Sequence, residues 1–444
     1  MTVRIGCGAG FAGDRIDPAK DLAARGRLDY LIFECMAERT LALGQLARRQ
    51  NPNAGFNNYL VKRLEAVLPD CCANKTRIVT NMGVANPERA AQVTLDVARK
   101  LGLGGFKVAV VKGDDVADLI SKDTMLPELG KTIGETGLHM ISANAYLGAD
   151  IIGQALDEDP AIVLTGRVAD PSLVVAPLAH EFGWRFDNWQ EMAQATLIGH
   201  VLECGGLVTG GYFADPGYKS VPDLAYIGFP LAEVEPDGSA IITKLPDTGG
   251  VMIPHIVKEQ LFYEVHDPKG YKTPDVVANF ASVKVSAAGP DRVAVHGATG
   301  QPRPDTLKVT VGFDGGYLAE VGISYAGPGA VDRGRLAAQI IRERMENLHG
   351  RKEELRLDLI GQNSLHGSAT ASAARELEDV RVRGALRSFD RETAEVLLYE
   401  VEALLNNGPA GGGGYRGTIT PSVITHAAFV GRAAVKPTFE VFST

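Results

Sequence analysis

The sequence predicts an α/β protein: an open, parallel, doubly wound sheet followed by a smaller α+β domain with an antiparallel sheet. Three observations predict it. From Val3 to Asp170, runs rich in β-branched residues alternate with runs whose apolar residues recur at helical spacing. Most of these strand runs end in Gly, Asn, Asp, Glu or Arg, and a parallel sheet gathers such ends on one edge. From about residue 280 onward, strands follow one another with little helix between them, which is the signature of antiparallel pairing.

In chain order, the expected strands of the first part are VRIGCGAG, LDYLIFEC, TRIVTNMG, FKVAVVKG, HMISANAYLG and AIVLTGRVAD. The helices between them include PAKDLAARG, ERTLALGQLARR, NNYLVKRLEAVL and PERAAQVTLDVARKLG. After AIVLTGRVAD come PSLVVAPLAHEFGW and NWQEMAQATLIGHVLECGG, both helical in pattern, the second closed by Gly205 and Gly206. DPKGYKTPD breaks all periodicity, so the boundary is placed there, with domains at 1–275 and 276–444. The second domain should hold the strands ASVKVSAA, DRVAVHGA, LKVTVGF, GYLAEVGISYAG, LRLDLIG and EDVRVRGALRSF. It should also hold the helices GAVDRGRLAAQIIRERMENL and RETAEVLLYEVEALL, and the closing run VKPTFEVFS.

Composition narrows the function classes. The 444 residues are 45% hydrophobic and 22% charged, an ordinary globular balance. A net charge of −9 argues against nucleic acid, because a phosphate-backbone binder needs a basic surface. No apolar run reaches membrane-spanning length and the N-terminus reads as a strand, so a cytoplasmic protein with no membrane partner is expected. Five cysteines without metal spacing (Cys7, Cys35, Cys71, Cys72 and Cys204) read as reduced thiols.

Several stretches carry candidate chemistry. Gly8, Gly10 and Gly13 spell G-x-G-x-x-G after the first strand, with Glu34 farther on, the outline of a dinucleotide fingerprint. Asp17-Pro18 starts the helix too late for a pyrophosphate cradle, and Asp14 would set a carboxylate beside the phosphates. The loop therefore reads as lining another ligand through Gly10, Asp14, Arg15 and Glu34, or as a plain packing turn. Arg167 offers a planar fork for a substrate carboxylate, with Asn81 and Asn144 expected on the same edge. A structural Arg167–Asp170 ion pair is the alternative. As a clamp, an Arg167→Lys variant would melt normally and bind weakly.

His200, Glu203 and Cys204 share a helix face and could supply a base, a carboxylate and a thiol, or could simply face the core. Thr209 and Gly210 lie in the glycine-rich run that follows, and Asp215 and Asp247 flank further glycine turns as acids or loop caps. No spacing of Asp, Glu and His supports a metal, although a divalent ion is compatible with their number. NNGPAGGGG could present backbone N–H groups to an anion or be a bare turn.

GCGAGFAGDR, TGRVADPSLVVAPLAHEFGW, GHVLECGGLVTGGYFADPG, LPDTGG, TPDVVANF and NNGPAGGGG together resemble the acyclic terpene utilization AtuA family of bacteria. The likeness spans essentially the whole chain and departs at Cys7 and Phe33-Glu34-Cys35. It implies a cytoplasmic catabolic role on branched acyclic acids or their CoA thioesters; the late helix start and Asp14 separately lead to the expectation of no nicotinamide or flavin cofactor. Some relatives carry a small extra C-terminal domain, so a separate small subunit beside a homo-oligomer is an expectation. The reading reached is a lyase or hydro-lyase acting on a branched hydroxy-acid or its acyl-CoA. Asp170, Glu203, His200 and Cys204 are the catalytic candidates. Gly10, Asp14, Arg15, Glu34, Asn81, Asn144, Arg167, Thr209 and Gly210 are the binding candidates. A non-catalytic scaffold subunit and an oxidoreductase are the competing readings.

Overall fold

A computed structural model describes residues 2–351, 353–370 and 377–444. It divides into two compact units, Met1–Gly312 with Thr425–Thr444, and Phe313–Ile424. The expected break at 275/276 therefore lies inside the larger unit.

The larger unit opens with β1 (Val3–Cys7), α1 (Asp17–Arg25), β2 (Tyr30–Phe33), α2 (Glu38–Gln50), α3 (Leu60–Asn74), β3 (Arg77–Thr80), α4 (Pro87–Lys100) and β4 (Lys107–Lys112). A hairpin of two-residue strands, β5 (Met125–Leu126) with β6 (Lys131–Thr132), leads into the single-turn α5 (Ile133–Thr136). Then come β7 (Met140–Ala145), α6 (Ala149–Leu156), β8 (Ile162–Thr165), α7 (Ser172–Phe182) and α8 (Trp189–Leu202). β9 (Pro230–Val234), β10 (Ala240–Lys244), α9 (Pro254–Phe262), β11 (Tyr271–Lys272), β12 (Val277–Asn279), β13 (Lys284–Gly289), β14 (Arg292–His296) and β15 (Thr299–Gln301) follow. Two long strands, β16 (Thr306–Ala326) and β19 (Gly413–Gly431), contain the points where the units divide. Between them run α10 (Ala330–Glu343), β17 (Leu355–Ile360), β18 (Asp379–Ser388) and α11 (Arg391–Asn407), and β20 (Thr438–Ser443) ends the chain.

The main sheet has ten strands in the order β13-β14-β10-β9-β1-β2-β3-β8-β4-β20. Its centre, β1-β2-β3-β8-β4, is parallel throughout. These strands are short and almost wholly buried, as strands covered on both faces must be, so they read as continuous apolar runs such as IVLT and YLIF. Leu31, Phe33, Ile78, Val108 and Leu164 from the sheet pack with Leu22, Leu64, Val67 and Leu95 from α1, α3 and α4.

The pairing of the strands corrects several expectations. The sheet is mixed rather than wholly parallel, because β9, β10, β14 and β13 add antiparallel strands beyond β1 and β20 adds one beyond β4. ASVKVSAA and DRVAVHGA are thus the outer strands of the first sheet, and the closing VKPTFEVFS is its opposite edge. This pairing carries the larger unit past residue 275. HMISANAYLG is a strand, β7, but it pairs with β16 and stays outside the ten-stranded sheet. LKVTVGF and GYLAEVGISYAG are one continuous strand.

In the smaller unit β17, β18 and β16 are antiparallel neighbours. Ala337 and Ile341 of α10 and Leu397 and Val401 of α11 pack on Val321, Ile323, Val382 and Leu386. Asp390 caps α11 by accepting from the backbone N–H groups of Glu392 and Thr393.

β15 also lies against the start of α8, and it does so through Gly300. A Cβ built there would stand 1.9 Å from the Trp189 carbonyl oxygen. Gly300→Ala is therefore expected to lower the urea midpoint clearly, whereas Gly104→Ala, with open space around its Cβ, should shift stability by no more than ~0.5 kcal/mol. Equal midpoints for the two variants would show that the approach is not tight.

Candidate active site

The carboxyl ends of the parallel strands do converge. After β2 the chain runs Glu34-Cys35-Met36, after β3 comes Asn81, and after β8 come Arg167 and Asp170. The Asn81 amide donates to Glu34 Oε1 at 3.0 Å and accepts from the Cys35 N–H at 2.7 Å, and the Met36 N–H donates to the same Glu34 oxygen at 2.7 Å. These bonds fix one carboxylate oxygen of Glu34 at the edge of the sheet.

In front of this edge lies a cavity of about 1050 Å³. Gly10, Asp14, Arg15, Glu34, Asp170, His200, Glu203 and Cys204 all line it. These eight are sequence candidates drawn from four separate segments. Its apolar wall includes Phe11, Leu207, Phe229, Val277 and Leu307.

Five candidates stand elsewhere. Arg167 is buried behind the wall with every nitrogen occupied. Nε donates to the Val168 carbonyl at 2.8 Å, Nη1 to the Met36 carbonyl at 2.5 Å, and Nη2 to Asp170. Its guanidinium also lies 4.3 Å from the Tyr146 ring centre. The side chain is 1% exposed and is not among the residues that line the cavity, so it does not face a substrate carboxylate there. Asn81 acts through Glu34, as above. Asn144 donates to Asp114 at 2.9 Å and accepts from Gln45 at 3.2 Å, deeper in the fold. The Thr209 hydroxyl donates to the Gly228 carbonyl at 2.7 Å, and Gly210 closes a short 3-10 turn with φ 105°. Both shape the turn behind the wall.

The first loop is built for packing. Gly10 meets the backbone at Cys204, where a Cβ would stand 2.2 Å from the carbonyl carbon. Asp14 accepts from the Gly10 and Arg15 N–H groups, each at 2.9 Å, and so closes its own loop. Arg63, fully buried, donates to the Asp14 carbonyl at 3.1 Å and to Asn57 at 3.2 Å, anchoring the loop from α3.

Sequence reasoning missed part of the wall. Tyr146 donates to Glu38 at 2.6 Å, and the Lys308 ammonium donates to Glu38 at 3.0 Å while lying 4.9 Å from the Tyr146 ring centre. Tyr271 and Glu264 also line the cavity. Glu38 was legible as a polar residue just past a strand end. Lys308 and Tyr146 were not, because they meet only through the pairing of β7 with β16.

Burial and neighbours set the protonation. Glu34 is pushed up to about 8, first by burial and then by the nearby Asp170 charge, with Arg167 acting the other way. Asp170 is raised by burial and pulled back by Arg167. Burial opposes the Glu38 charge, yet Tyr146 and Lys308 hold it down to about 2. His200 is lowered to about 4 by burial, and burial raises Glu203 well above the usual carboxylate range. Burial also raises Cys204, which argues against a thiolate nucleophile.

Among the described residues, no group of three or more His, Cys, Asp or Glu is arranged to hold a metal ion, and no helix is long and apolar enough to cross a membrane. Fold and site together define an α/β protein with a carboxyl-rich cavity at the carboxyl ends of its parallel strands. The chain belongs to the acyclic terpene utilisation AtuA family, whose model matches residues 3–441. No curated protein and no solved structure matches it.

Arg167 supports the wall from within the protein. Arg167→Lys would keep the charge but lose the fork that reaches Val168, Met36 and Asp170 together. The variant is expected to lose on the order of 3 kcal/mol of stability, the scale of breaking a buried pair. A melting temperature equal to that of the parent would return Arg167 to the role of ligand clamp.

Proposed function

We propose that the cavity performs acid–base elimination or addition of water on a branched hydroxy-carboxylic acid or its CoA thioester, as a hydro-lyase of acyclic terpene or related acid catabolism. One observation carries this reading. Two carboxyl groups, Glu34 and Asp170, line one cavity close enough to influence each other; burial raises both, and Asp170 has the Arg167 guanidinium in direct contact to favour its charged form. An adjacent acid and base is what elimination across a carbon–carbon bond needs. Asp170, ion-paired to Arg167, takes the proton from the carbon next to the carbonyl. Glu34, still protonated near neutral pH, gives its proton to the departing hydroxyl. The C–H and C–O bonds break, the double bond forms, and water leaves. The proton then passes from Asp170 back to Glu34 and restores the pair.

Lys308 replaces Arg167 as the cationic anchor for the carboxylate or thioester end, since it lines the cavity and its side chain is partly exposed. The apolar wall takes the branched chain. Buried strand faces and two helix sets, α1/α3/α4 and α6/α7/α8, support the doubly wound reading of the sheet. The reading also keeps the protein in the cytoplasm, as a homo-oligomer, with a separate small subunit as a partner.

Glu34→Gln is the discriminating variant, because glutamine mimics the protonated acid and can accept the same two hydrogen bonds. Turnover of a branched 3-hydroxyacyl thioester should fall by roughly 10²–10⁴-fold. In the parent, activity should decline as pH rises through about 8, where Glu34 ionises. Stability follows the same proton. A folded-state value above the unfolded one means the folded form binds more protons between about 4.5 and about 8, so stability falls across that window as pH rises. The variant lacks this loss and should melt above the parent at pH 8, with the two converging near pH 5. Unchanged turnover in Glu34→Gln would remove the proposed acid.

A further inference from the structure

Beside the Glu34–Asp170 pair, the cavity wall holds a second ionisable unit that the proposed elimination does not use. His200, in the last turn of α8, places Nδ1 2.8 Å from Glu203 Oε1, and its Nε2 lies 3.2 Å from the Leu261 carbonyl of α9. The ring is buried between Tyr271, with centroids 5.1 Å apart, and Phe280, at 5.8 Å. The second Glu203 oxygen, Oε2, is buried with no hydrogen-bond partner among the described residues, on a side chain that lines the cavity.

A carbonyl oxygen only accepts, so the nitrogen facing Leu261 carries hydrogen. Two arrangements then satisfy the 2.8 Å contact. Either His200 is an imidazolium donating to a Glu203 carboxylate, or Nδ1 of a neutral ring accepts from the carboxylic acid of Glu203. The orphan oxygen separates them. In the ionic form Oε2 would share the negative charge in a dry wall with nothing to donate to it, which is far costlier than leaving a neutral carbonyl oxygen unpaired. The surrounding charges agree, since Asp170 and Glu264 disfavour a carboxylate here and outweigh Arg167. Burial likewise disfavours the imidazolium.

We propose that Glu203 borders the cavity as a neutral carboxylic acid, donating to His200 Nδ1, and that a small turn of its carboxyl group opens the buried Oε2 to accept from a hydroxyl of the ligand. This makes Glu203 a specificity-determining residue that favours a hydroxylated acid over its deoxy analogue. The choice of probe rests on the proposed function. The protonation state rests on the wall geometry and the neighbouring charges and does not depend on that function.

Two measurements test it. Two-bond ¹H–¹⁵N correlation spectra, with His200 assigned by a His200→Gln variant, should show one protonated and one bare ring nitrogen between about pH 5 and about pH 8. Two protonated nitrogens near neutrality would overturn the neutral pair, whatever happens to the elimination reading. Calorimetry with 3-hydroxy-3-methylbutanoate and 3-methylbutanoate should show at least about tenfold preference for the hydroxylated probe. Glu203→Gln, whose amide donates to Nδ1 and whose carbonyl replaces Oε2, should keep both that preference and the His200 signals. Glu203→Leu should lose the preference. Equal affinity for the two probes in the parent, or loss of the preference in Glu203→Gln, would overturn the acceptor role.

Discussion

Arg167 is 1% exposed, and each of its three nitrogens donates to a different part of the chain: the Val168 carbonyl, the Met36 carbonyl and the Asp170 carboxylate. A guanidinium taken out of water costs several kcal/mol unless such partners replace its hydration. Here they do, and the replacement ties the loop after β2 to the loop after β8. The Arg167 backbone N–H donates to Asp114 at 3.0 Å, which brings in the loop after β4 as well. Three strand ends are thus held by one residue. The cavity wall in front of them is the surface of that knot.

The same cation organises the protons. Six carboxyl side chains line the cavity (Asp14, Glu34, Glu38, Asp170, Glu203 and Glu264), a crowd that would repel an anionic ligand if all were charged. The charges fall where a cation is in contact: Glu38 lies beside Lys308, and Asp170 beside Arg167. Among the described residues neither Glu34 nor Glu203 has a Lys or Arg in ion-pair contact, and burial raises both, as it raises Asp170. Glu34 and Asp170 stand in one wall, and it is Asp170 that receives a hydrogen bond from Arg167. Lys308 remains partly exposed to the cavity and leaves room for a ligand's negative end.

Much of this was legible in the chain, and the reasons are local. Alternating periodicity and polar strand ends located the parallel strands and the edge where they finish, since a buried parallel strand must be apolar along its length and polar only where it leaves the sheet. The i, i+3 spacing of His200 and Glu203 put them on one face, and they do meet. What could not be read were pairings made between distant segments. β20 returning to β4, β13 and β14 reaching β10, and β7 meeting β16 all depend on tertiary packing that leaves no periodic mark. Those pairings moved the boundary between units and brought Lys308 to Tyr146. The role of Arg167 was misplaced for a related reason. A guanidinium aimed at a ligand and one aimed at two carbonyls have the same sequence.

The first loop shows how a motif can arise from a different cause. Its G-x-G-x-x-G pattern suggests backbone N–H groups opened toward a pyrophosphate, which needs those groups free. In this protein the Gly8 N–H donates to the Ile32 carbonyl at 2.7 Å and the Gly10 N–H donates to Asp14. A Cβ on Gly8 would strike the Phe33 ring at 2.5 Å, and one on Gly10 would strike the Cys204 backbone. Both glycines answer to close packing inside the protein. By letting the loop lie against the Cys204 backbone, Gly10 brings Asp14 and Arg15 onto the same wall as Glu203. The absence of a side chain at one position is what allows two distant segments to form a single cavity.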